Sequence, residues 1–154
     1  MKINWKKLII ITLVTFLVGG FFSFFTMNNM DTFKELAKPI DIPPVVFPIV
    51  WSILYLLMSI SYYIVSNSNS EYKDESKAAY IVQLIINSLW SLIFFGFEAY
   101  LLAFIWLLIL LISVIVMITY FSKVNKTAAY LQIPYLLWII FAGNLNLSIY
   151  FLNK

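Results

Sequence analysis

Apolar runs of roughly twenty residues recur along the chain, separated by short stretches that hold nearly all of its charge. Crossing about 30 Å of hydrocarbon takes roughly 20 helical residues. Five segments reach that length, over about 8–27, 45–65, 78–97, 99–121 and 129–152. The pattern predicts an all-α membrane protein, a bundle of five transmembrane helices forming a single domain over residues 1–154. The turn between the third run and the fourth is very short, around Gly96, Phe97 and Glu98, so these two helices are expected to be antiparallel neighbours. The first run follows Lys2, Lys6 and Lys7, as the core of a signal peptide would. It is too long for one and lacks a small-residue cleavage site, so a retained helix is expected.

Polar and aromatic residues inside these runs fall into stripes. Gln83, Asn87, Trp90, Ser91 and Phe94 recur every three or four residues on the third helix, which places them on one face. On the fifth helix Pro134, Trp138, Ala142 and Asn146 repeat at four, with Leu145 beside them. On the second, Pro48, Trp51, Tyr55 and Tyr62 share a face. Tryptophan usually sits at the membrane interfaces, as Trp5 does here. Trp138 lies instead roughly 14 Å inside its helix at 1.5 Å per residue, and Trp90 lies deeper. Polar groups in hydrocarbon are costly and face the bundle interior or a cavity. Packing between helices explains any one of these residues. Three stripes together favour a cavity for a flat, mostly apolar molecule, stacked on indole and phenol rings and hydrogen-bonded at its edge by Asn87 or Gln83. Pro48 and Pro134 are expected to kink their helices.

Composition sharpens this picture. Of 154 residues, 63% are hydrophobic and 11% charged, against about 25% charged in a soluble domain. All ten basic residues are lysine. They form no basic stripe, which argues against a nucleic-acid partner and for a lipid bilayer. Lys2, Lys6, Lys7, Lys73, Lys77, Lys123 and Lys126 fall on one side of a five-helix topology, and Lys34, Lys38 and Lys154 on the other. That bias predicts a plasma-membrane protein with a cytoplasmic N-terminus. Cysteine and histidine are absent, which removes thiolate or imidazole metal ligation and the usual nucleophile–base pairs. No metal and no resident cofactor are expected.

The loop from Asn28 to Pro44 carries Pro39, Pro43 and Pro44 among charged and apolar residues, a composition that fits a lid and a plain connector equally. Thr15, Gly19 and Ser23, like Ala99 and Ala103, form small-residue faces that suit either an internal contact or a dimer seam. Leu145, Tyr150 and Lys154 match the loose cholesterol-consensus pattern.

The run Pro39, Pro43, Pro44, Phe47, Pro48, Trp51, Leu54, Tyr55 resembles the signature of the TspO/MBR family, the tryptophan-rich sensory or translocator proteins. Gln83, Asn87, Trp90, Ser91, Phe94 and Phe95 resemble its third helix, and Leu131, Pro134, Tyr135, Trp138, Phe141, Ala142, Leu145 and Asn146 its fifth. The resemblance implies a five-helix bundle, commonly a homodimer, whose cavity binds protoporphyrin IX and related flat ligands for sensing, sequestration or transport. It implies a pocket at Trp51, Asn87, Trp138 and Ala142, with Phe47, Tyr55, Trp90 and Ser91 nearby. It also implies, for Trp51 and Trp138, a catalytic part in light-dependent porphyrin breakdown. An enzyme of that kind and a ligand-free scaffold are the alternatives to a binding protein. Two positions depart from the family: Asp41 stands where a loop tryptophan is usual, and Trp106 where some relatives have an acidic residue.

Overall fold

The structure, a computed structural model, describes residues 2–154 and is helical almost throughout, with no strand among the described residues. Helix α1 (Trp5–Gly19) continues after a bend into α2 (Phe21–Thr26). A 3-10 turn, Met27–Asn29, then leads to the short α3 (Met30–Glu35). An extended stretch connects to α4 (Val46–Ser66), and a tight loop to α5 (Lys73–Ser91), whose end widens into a π-helical turn at Leu92–Gly96. Helix α6 (Tyr100–Val124) follows, then α7 (Lys126–Tyr130) and α8 (Ile133–Leu152).

Four stretches are long and apolar enough to cross a membrane unbroken: Val46–Ser66, Lys73–Gly96, Tyr100–Val124 and Lys126–Leu152. The first segment supplies a fifth as a bent pair, Trp5–Gly19 and Phe21–Glu35, with 47° between the two parts. The chain is an all-α membrane bundle. Helix α5 starts several residues before the expected 78, so the polar loop before it shortens to 67–72. The first helix, expected to run unbroken over 8–27, breaks at Gly19–Gly20. Adjacent glycines pay the largest entropic cost in a helix and are a common place for a kink.

Helix α6 is the central post. Ala103, Leu107, Leu110, Val114, Met117 and Phe121 are buried on one stripe at alternating spacings of four and three, and that stripe packs between α5 and α8. Its other faces expose isoleucine and leucine, as a helix facing hydrocarbon should. Trp106 ties α6 to α5 by donating its indole N–H to the Ile86 carbonyl at 2.8 Å. The antiparallel pairing expected from the short turn is present, and Glu98 takes a left-handed φ of 51° to make the turn.

The two ends of the bundle are each stitched together. At one, the Lys7 ammonium donates to the Ser66 carbonyl at 3.1 Å and to Asn67 Oδ1 at 2.7 Å. At the other, the Ala37 N–H donates to Asn153 Oδ1 at 3.0 Å, and Asn153 Nδ2 donates to the Ala37 carbonyl at 2.9 Å. The prolines do not kink their helices. Pro48 is the third residue of α4 and Pro134 the second of α8, where the missing N–H would have had no helical partner. The marked bend occurs instead at Gly20.

Candidate ligand-binding cavity

The bend at Gly20 makes room. Helix α1 packs along α4, but α2 swings away from α4 and packs on α5. The gap it leaves is a cavity of about 540 Å³, within the usual range for a small-molecule pocket. Phe16, Gly20 and Phe24 line it from one face of α1–α2, and Phe47, Trp51 and Tyr55 from α4. Trp90, Ser91 and Phe95 close it from α5 and the π-helical turn. Its rim between α2 and α4 includes the exposed side chains of Met27, Val45 and Ser52.

Two contacts fix the walls. The α1–α4 packing depends on Gly19, because a Cβ there would lie 2.7 Å from Tyr55 Cε1. Ser23 donates to Ser91 Oγ at 3.1 Å, and the Thr26 hydroxyl shares that oxygen at 3.1 Å, which pins α2 to α5. The Thr15–Gly19–Ser23 face is therefore an internal contact. Thr15 likewise meets the Tyr80 hydroxyl inside the bundle.

Five of the expected ligand residues, Phe47, Trp51, Tyr55, Trp90 and Ser91, line the cavity together. The other three stand behind them. Asn87 is buried and donates to the Tyr55 hydroxyl at 3.1 Å. Trp138 stands edge to face against Trp51 at 6.5 Å between ring centres, and against Phe47 at 6.1 Å. Its indole N–H is buried without an acceptor among the described residues. Ala142 borders a separate void of about 10 Å³, with Phe33, Leu145 and Asn146. Gln83 lies deeper, its Oε1 accepting from the Tyr135 hydroxyl at 2.8 Å.

The loop over residues 28–44 borders the cavity through Met30, Lys34 and Pro44, the place a lid would occupy. Phe33 on α3 is 2% exposed and packs edge-on against Phe47 at 5.2 Å and Phe95 at 5.9 Å. Lys38 caps the end of α3, its ammonium donating to the carbonyls of Phe33, Lys34 and Leu36. Asp41 is exposed and outside the cavity lining, so Phe33 supplies the buried aromatic of this lid. Lys34 reaches the rim and pairs with Asp31 at 2.8 Å.

Residues from α1–α3, notably Phe16, Gly20, Met30 and Lys34, were not expected at the site. The signal for Phe16, Gly20 and Phe24 was their spacing of four, next to the small-residue face. The cholesterol-pattern residues do not form one surface. Leu145 points to the inner void, while Lys154 lies 5.8 Å over the Tyr150 ring. Five positions along a helix turn two side chains roughly 140° apart.

The profile of the TspO/MBR family matches residues 10–152 of this chain. The chain belongs to the TspO/MBR family. Tryptophan-rich protein TspO of Archaeoglobus fulgidus is 37% identical over 152 residues, 97% of this chain and 99% of its own length. Protein CrtK of Rhodobacter capsulatus is 36% identical over 124 residues, 79% of this chain and 78% of its own. The tryptophan-rich sensory protein of Cereibacter sphaeroides is 33% identical over 124 residues, 80% and 77% of the two chains. In this TspO/MBR protein the cavity holds aromatic faces, hydroxyls and one lysine but no carboxylate. Those groups can stack on a guest and hydrogen-bond it.

Proposed function

We propose that this protein binds a flat, largely apolar ligand of the tetrapyrrole class, such as protoporphyrin IX, beneath the lid, and thereby senses, sequesters or moves it. One observation carries the reading. A void of about 540 Å³ is walled by Trp51, Trp90, Phe47 and Tyr55, which offer indole and phenol faces to a planar guest. Membership of a family that includes a tryptophan-rich sensory protein supports it. The lysine bias favours a cytoplasmic N-terminus and a lid facing outward, and the family resemblance favours a homodimer. Titrating the purified protein with protoporphyrin IX in the dark, read by tryptophan fluorescence, tests binding. Saturable quenching that weakens in Trp51→Phe is expected. Linear, unsaturable quenching that ignores the substitution would leave a bundle whose stripes only pack.

A second reading, light-dependent breakdown of the bound porphyrin, is favoured by the edge-to-face pair of Trp51 and Trp138. A ligand stacked on Trp51 would have one oxidisable indole beside it and a second behind that one. Illumination of the loaded protein is expected to yield a new absorbing product. The same yield from Trp51→Phe with Trp138→Phe would remove the tryptophans from that reaction.

A further inference from the structure

We propose that Lys34 is an anion subsite at the cavity rim, so that the ligand class is a flat apolar body bearing a carboxylate at one edge. The inference rests on the binding reading above and narrows it. Lys34 is the one charged side chain among those lining the cavity. Its surroundings distinguish it from the other lysines at this end of the bundle. Lys38 spends its donors on three carbonyls, at 2.8, 3.2 and 3.1 Å. Lys154 lies over the Tyr150 ring at 5.8 Å. Lys34 makes one hydrogen bond, to Asp31 Oδ1 at 2.8 Å, and an ammonium has three donors.

The serine and threonine hydroxyls of the cavity are committed elsewhere, and the Tyr55 hydroxyl accepts from Asn87. Ser23, Thr26 and Ser91 bond one another, and Ser52 donates to the Pro48 carbonyl at 2.7 Å. An apolar guest that carries a carboxylate therefore meets a single lysine, whose ammonium has donors left over from its pair with Asp31. Charge-assisted hydrogen bonds are stronger than neutral ones, but the pair is solvent-exposed and its effect is correspondingly modest. Asp31 is a built-in competitor for the same ammonium.

The test uses the full chain in phosphatidylcholine nanodiscs and two probes, protoporphyrin IX and its dimethyl ester, which share the ring and differ in charge. Lys34→Gln is expected to weaken the diacid by roughly two- to fivefold, the range of an exposed ion pair, and to leave the diester unchanged. Lys34→Arg should retain the diacid preference, and Asp31→Asn should strengthen it. Equal effects on both probes, or none on the diacid, would overturn the subsite and leave the cavity reading standing. Wild-type protein that binds neither probe would overturn both. An anionic lipid headgroup offers the same charge as a carboxylate, so the titration is repeated in phosphatidylglycerol discs. A diacid preference that persists there supports the assignment, and one that disappears would give Lys34 to a lipid headgroup instead.

Discussion

Trp51 and Trp138 meet edge to face at 6.5 Å, yet only Trp51 lines the cavity. The two indoles are therefore unequal. A ligand in the cavity would stack on Trp51 directly and feel Trp138 only through it and Phe47. Aromatic pairs contribute about 0.5–1.5 kcal/mol beyond area burial. Trp51→Leu should weaken porphyrin binding by roughly three- to tenfold on that scale, and Trp138→Leu by less than twofold. Fluorescence titration in the dark measures both. The reverse order would place the ligand on the Ala142 side of Phe47.

Two glycines of the bundle should respond oppositely to the same change. A Cβ on Gly19 would lie 2.7 Å from the Tyr55 ring, while one on Gly143 meets nothing within 4 Å. Gly19→Ala forces α1 off α4, and overpacking of this kind costs about 1–3 kcal/mol. Gly143→Ala lies in the middle of α8 and should stabilise by up to about 1 kcal/mol through helix propensity. Thermal unfolding in one detergent compares them. Because Tyr55 lines the cavity, Gly19→Ala should also weaken the ligand, and Gly143→Ala should not.

Tyr135 and Gln83 form a buried pair whose members depend on each other. The Tyr135 hydroxyl donates to Gln83 Oε1 at 2.8 Å, and Gln83 Nε2 already has no partner among the described residues. Interhelical hydrogen bonds in membrane bundles average about 0.6 kcal/mol and reach about 1.7. Tyr135→Phe strands the whole amide and should cost near the upper figure. Adding Gln83→Leu removes the stranded group, so the double variant should recover most of the loss. A double-mutant cycle of unfolding midpoints checks this, with additivity as the contrary result.

The helical stripes were legible because burial follows the helical period. Gln83, Asn87, Trp90, Ser91 and Phe94 are all buried, as their spacing implies. Which buried residues face a void was not legible. Trp138 and Ala142 share the fifth-helix stripe, yet Phe47 and Phe33 stand between them and the main cavity. That depends on side-chain rotamers and helix rotation, which periodicity does not encode. The prolines were misread as kinks because their effect depends on helix starts, and boundaries move by a turn without changing the apolar pattern. The bend at Gly20, which opens the cavity, was within reach. A glycine pair inside an apolar run is a physical reason for a break, but the long hydrophobic stretch masked it.

The lid is held by two separable devices, and they predict different kinetics. Ala37 and Asn153 exchange two hydrogen bonds outside the cavity lining, at 3.0 and 2.9 Å, both exposed to solvent. Phe33 anchors the lid from beneath, against Phe47 and Phe95. Asn153→Ala removes only the outer tie. Exposed hydrogen bonds contribute about 0.5–1.5 kcal/mol, so the folded bundle should keep its unfolding midpoint while the lid opens more often. Ligand should then associate and dissociate faster by a similar factor, roughly two- to tenfold, with its equilibrium affinity nearly unchanged. Phe33→Ala removes a fully buried ring and should cost about 3–5 kcal/mol of local packing, releasing the lid altogether. In that variant dissociation should accelerate further and affinity should fall, because Phe33 holds Phe47 in the cavity wall. Stopped-flow quenching against protoporphyrin IX separates the two. If both variants released ligand at the wild-type rate, exchange would run past the rim between α2 and α4 rather than under the lid.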